Sequence, residues 1–120
     1  MAPVLGEAHV LSGGFSVAIS RGPIVAPTDQ RTEFSVAEKA FTIFVTWNPQ
    51  ERLKGMIAMR LYTAENRPLS QSTPKKSDLK KQDLVLASWQ VPMLRTPGVY
   101  RADVTLDDKV MWRGYVRLTP

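Results

Sequence analysis

One histidine, His9, no cysteine and two loose pairs of acids are the main groups this sequence offers for covalent or acid–base chemistry. A nucleophilic triad needs a histidine held rigidly beside a serine. His9 lies in an opening segment with little pattern, so it reads as a residue of an exposed arm. Asp107-Asp108, and Asp78 with Asp83, could act as acid and base only if buried and held apart. Asp107-Asp108 stands between two strand-like runs, where aspartate is a good turn former. Calcium would need about six oxygen ligands, and the local sequence offers few. Met56, Met59, Met93 and Met111 raise the question of a soft metal. In a strand, positions 56 and 59 point to opposite faces, so core packing suits Met59 better. Gly13-Gly14 is too short to cradle a phosphate, and no nucleotide-binding fingerprint occurs. Lack of cysteine removes disulfides, thiolate zinc sites and cysteine nucleophiles. No catalytic residue, metal or cofactor is expected, and the chain reads as a non-enzyme.

Charge offers one more candidate. Sixteen Lys and Arg oppose eleven Asp and Glu, for a net +5. Lys75, Lys76, Lys80 and Lys81 cluster between two runs and could meet a phosphate backbone or an anionic lipid surface. No aromatic residue interleaves them to stack on bases, which argues against nucleic acid. A solvated loop is the plainer reading. No stretch approaches the ~20 apolar residues of a membrane span, so membrane association would be peripheral. Met1 to Val10 lacks the charged start and apolar core of a signal peptide.

The elements that must position these groups are strands. Phe15, Val17 and Ile19 are apolar at alternate positions, as are Phe41, Ile43, Val45 and Trp47. Ile57, Met59 and Leu61 repeat the pattern, followed by Val85, Ala87, Trp89 and Val91. Tyr100, Ala102, Val104 and Leu106, then Val110, Trp112, Val116 and Leu118, complete it. A period of two marks a strand with one buried face. With Thr32–Val36 this makes about seven strands. Residues 1–14 are expected as a loose arm, and 15–120 as a single domain with a long polar loop at 64–83. Short helical turns are expected at 48–55, where Asn48 and Pro49 suit a helix start, and at 77–81. In the closing hairpin, pairing Leu106 with Val110 sets Val104 opposite Trp112 and leaves the loop Asp107-Asp108-Lys109. Gly114 opposite Ala102 implies a close approach or a bulge. Successive strands with turn signals between them give an all-β, antiparallel two-sheet sandwich.

Pro97-Gly98-Val99-Tyr100-Arg101-Ala102-Asp103-Val104, following a strand with Trp89, resembles the penultimate strand of immunoglobulin-like and fibronectin-III-like domains of bacterial envelope proteins. Tyr100 matches the tyrosine-corner position of that fold. The resemblance implies an immunoglobulin-like β-sandwich, and adhesive, scaffolding or accessory roles. It leans towards a periplasmic or cell-envelope setting, with any export signal absent from this chain.

The core assignment leaves Arg101, Asp103, Thr105, Met111, Arg113, Tyr115 and Arg117 facing outward. Met56, Arg60 and Tyr62 join them if the strand at 56–62 is a neighbour. Arg, Tyr and Met are enriched at protein interfaces. The leading expectation is a protein-interaction module, an accessory or structural subunit docking on a larger assembly. Arg60, Tyr62, Arg101, Met111, Arg113, Tyr115 and Arg117 are its contact face. The alternatives are a carbohydrate or small-ligand binder using Trp47, Trp89 or Trp112, and an anionic-surface binder using the four lysines.

Overall fold

A computed structural model describes residues 9–120. Ten strands in two sheets build the described chain: β1 (Val10–Arg21), β2 (Val25–Gln30), β3 (Glu33–Ser35), β4 (Ala40–Trp47) and β5 (Leu53–Thr63), then β6 (Pro68–Gln71), β7 (Lys75–Leu79), β8 (Val85–Pro92), β9 (Gly98–Leu106) and β10 (Lys109–Thr119). One sheet has the order β2-β1-β4-β8; the other runs β3-β10-β9-β5-β6, with β7 also on β5. Neighbours pair antiparallel, except that β3 runs parallel to the end of β10. The sandwich expected from the alternation is present, with three strands more than about seven. These are β2, β6 and β7.

Two of them, β6 and β7, correct a loop. Residues 64–83 are not a free loop, because β6 and β7 both pair with β5. They form one edge interrupted at Ser72–Pro74, where Ser72 exchanges hydrogen bonds with the Met59 backbone. Residues 77–81 make no helical turn, since Ser77 and Asp78 belong to β7. Residues 48–55 make none either. The backbone N–H groups of Asn48 and Gln50, which a helical start would leave free, donate instead to the carbonyl and Nδ1 of His9. Residues 10–14 are strand, not loose arm, and pair with β4; residues 1–8 lie outside the described residues. Val17 is exposed despite its alternation. The register of β1 with β4 ends at Ser16↔Thr42, and beyond that point β1 pairs with β2 alone.

The closing hairpin has a tighter tip than expected. Lys109 pairs with Leu106, so the loop is Asp107-Asp108 alone. Both have left-handed backbones, with φ 48° and 68°, the requirement of a type I′ turn. A two-residue loop should send one strand's apolar set into water. A bulge at Met111 restores the phase, and from Trp112↔Val104 to Val116↔Tyr100 the pairing is as expected.

Two clusters fill the space between the sheets. Phe15, Phe34, Phe41, Met59, Leu61 and Tyr100 centre one; Val45, Trp47, Ile57, Val104 and Leu106 centre the other. Trp112 packs against both. Its ring fills the space that a Cβ at Gly114 would take, and a Cβ at Gly13 on β1 would fall 2.5 Å from its Nε1. Two missing side chains on opposite sheets thus make the seat for one indole. The Tyr100 hydroxyl donates to the Thr96 carbonyl at 2.5 Å, which is the corner its motif implies. Gly13→Ala should therefore cost about 1–3 kcal/mol of unfolding free energy by overpacking, read as a lower urea midpoint. Tyr100→Phe should cost about 1 kcal/mol, the net worth of one hydrogen bond.

Candidate functional site

The outer face of the six-stranded sheet gathers the candidate interface residues in rows. Strand register sets Tyr62, Arg101 and Tyr115 side by side, and Arg60, Asp103 and Arg113 in the next row. Residues opposite one another across paired strands share a face, so the period that buries Leu61, Ala102 and Gly114 inward turns these six outward.

Asp103 is the centre of the face. It is only 2% exposed, although it points away from the core. Arg113 donates to its two carboxylate oxygens from Nε at 2.8 Å and from a terminal nitrogen at 3.1 Å. That hydrogen bonding holds the Arg113 guanidinium above the usual arginine pKa. Arg101 places its Nε 3.4 Å from the same carboxylate, but not in line for a hydrogen bond. The Arg101 guanidinium lies 4.2 Å over the Tyr62 ring, a cation–π distance. It also bonds the Asn66 side chain. Arg60 bonds Gln71 at 3.1 Å and pairs with Asp108. One buried carboxylate thus serves two guanidinium groups, and the cluster of Arg101, Asp103 and Arg113 carries a net positive charge.

The face differs from expectation at three places. Met111 leaves it: the bulge turns this side chain inward, where it is 5% exposed and packs with Leu106 and Ile57. Thr105 stays on the outer side but is buried, with its hydroxyl on the Ala58 carbonyl. Arg101 is largely covered, whereas Tyr115 and Arg117 are exposed. Asn66 and Asp108 are the partners that sequence reasoning missed. Both have left-handed backbones in turns, and only the fold brings those turns to the face.

The remaining candidates are scattered. His9 Nδ1 accepts from the Gln50 backbone at 3.0 Å, pinning the start of β1 to the β4–β5 connection. Asp107 accepts from the Met56 backbone at 2.8 Å, which ties the hairpin tip to β5. Asp78 takes two bonds from Arg52 at 2.9 and 2.7 Å, and these hold its carboxyl below the usual aspartate pKa. Met56 is exposed and Met59 buried, on opposite faces of β5. Lys75 and Lys76 are successive residues of one strand and point to opposite sides, so the four lysines do not share one surface. Trp47 is fully buried, and Trp89 and Trp112 pack against the core clusters. A recess of about 630 Å³ is lined by Lys54, Gly55, Met56, Lys76, Ser77 and Asp78, with no tryptophan. No helix among the described residues is long and apolar enough to cross a membrane.

No family model matches the chain, and no curated protein matches it. Solved structures do share its architecture. An immunoglobulin-like protein from Pseudomonas aeruginosa superposes with a TM-score of 0.51 at 10% identity, over 90% of this chain and 94% of that one. The C-terminal domain of Wzt gives 0.50 at 10% identity, over 91% and 75%. A β-glucosidase from Listeria innocua in complex with glucose gives 0.51 at 15% identity. That match covers 90% of this chain but 16% of the enzyme, so the chain spans a small part of its length. At these identities the likeness is one of fold alone, an all-β sandwich.

Removing the central carboxylate should destabilise the domain, because two guanidinium groups then face each other unneutralised. Asp103→Ala is expected to cost about 2–3 kcal/mol, whereas Arg117→Ala, at an exposed position further along β10, should cost less than about 0.5 kcal/mol. Urea unfolding of the two variants checks the contrast.

Proposed function

We propose that this chain is a non-enzymatic protein-interaction module, an accessory or structural subunit that docks through the outer face of its six-stranded sheet. The observation that carries the reading is the ordered row of Arg and Tyr around buried Asp103. Interface hot spots are rich in Tyr and Arg, and side chains already held in place lose less entropy on binding. Arg101 and Arg113 are fixed by Asp103 and Tyr62, while Tyr115 is 40% exposed at the end of its row. The excess positive charge favours a partner surface with carboxylates. A place in the cell envelope belongs to this reading through the likeness of the Pro97–Val104 segment to envelope domains.

The experiment must separate docking from folding. Arg113 is unsuited to it, since truncation would strip the buried Asp103 of its better partner. Tyr115→Ala combined with Arg117→Ala touches only exposed groups. Wild-type protein is expected to retain a partner from an extract of its own cells, and the double variant to lose it. The variant's unfolding free energy should stay within about 0.5 kcal/mol of wild type. Equal capture by both proteins would overturn the assignment of this face.

A further inference from the structure

The two sheets differ in width, and the difference falls on one side of the molecule. At the other side, edge strands β2 and β3 follow each other directly in the chain. β1 contacts β10 across the sandwich. In strand order, β4 then lies over β9 and β8 over β5. Inward side chains agree, since Val85, Ala87 and Trp89 pack on the cluster that holds Ile57 and Leu79. The β6–β7 edge therefore projects one strand beyond β8. Ser70 and Lys75 pair with Leu61 and Ile57 and point to the core side, yet both are exposed. At the far end of β7, Leu79 is buried against the same cluster as Val85, so the smaller sheet's unfilled strand position lies above the Ser70–Lys75 part of this ledge.

The edge of β8 is suited to fill it. Folded proteins guard sheet edges with prolines, lysines, bulges or short strands. β2 carries Pro27 and a left-handed Asp29. β3 has three residues. The β6–β7 edge is broken before Pro74 and carries Lys75 and Lys76. β8 has none of these devices before its last residue, Pro92. Leu84–Val91 contains no charged residue and no proline, and its register with β4 is unbroken from Val85 to Pro92. Among the described residues, no turn or loop backbone bond reaches Val85–Val91.

We propose that the open position beside β8 takes one extended, acid-bearing segment of a partner protein as an added strand. Its backbone would pair with β8. Its inward carboxylates would meet Lys75 on the ledge, and its outward apolar side chains would lie beside Leu86. A second folded copy does not fit. Joining two copies edge to edge at β8 would drive the projecting β6–β7 ledge of each into the larger sheet of the other. A single strand clears the ledge. This site is separate from the arginine face and stands without it.

The probe is a capped octapeptide alternating valine and glutamate, titrated at up to about millimolar concentration, where weak peptide docking is measurable, into the ¹⁵N-labelled chain. Amide shifts confined to Leu84–Val91 and Lys75–Leu79 are expected. N-methylation of alternate peptide nitrogens on the pairing edge should abolish them, because added strands bind through backbone hydrogen bonds. Lys75→Glu, on an exposed side chain, should weaken the glutamate peptide about tenfold and favour its lysine counterpart. Shifts centred on Arg60 and Arg113, equal binding by the N-methylated peptide, or no shift at all would overturn the proposal.

Discussion

Seating one indole sets the geometry of this sandwich. Trp112 belongs to the larger sheet, yet its ring needs the space left by Gly13 on the smaller one and by Gly114 two residues along its own strand. Phe15 packs on it with ring centroids 5.8 Å apart, and Phe41 lies 6.2 Å from Phe15. Phe34, back on the larger sheet, stacks on Phe41 at 5.6 Å. This aromatic series crosses between the layers twice. Shifting any of these strands by one residue would turn its ring to the other face. The inward phase of β10 also fixes its outward phase, so the placement of Arg113 and Tyr115 depends on Trp112.

The outer face obeys a different rule. A carboxylate removed from water is costly unless well paired, and Asp103 is paired by Arg113 through two bonds and approached by Arg101. Two cations around one anion leave positive charge on side chains that hydrogen bonds and ring contacts hold in place. Rigid groups with unspent charge suit recognition better than freely moving surface lysines.

Much of this was legible in the residues. The alternating runs located seven of the ten strands, and the pairing of Val104 with Trp112 followed from parity. Tyr100 declared its corner through Pro97-Gly98. What stayed hidden was non-local. The Met111 bulge depends on Asp107 and Asp108 both taking left-handed backbones, and the aspartates read equally well as part of a three-residue loop. β6 and β7 lack an apolar period because their exposed edge does not need one. Capping residues at Asn48-Pro49 were outweighed by His9, a partner 41 positions away from Gln50. Burial of Thr105 on the outer side had no local signal.

The parallel pairing of Glu33–Ser35 with Arg117–Thr119 bears on how the molecule is made. Hairpins such as β9–β10 can zip locally, but this contact joins positions more than eighty residues apart, and closing so large a loop is slow. On the ribosome, β3 and the aromatic rings beside it must wait, uncovered, until β10 has been synthesised. Phe34 and Phe41 are thus apolar surface that a holding chaperone could shield during translation, and the finished fold removes that surface from reach.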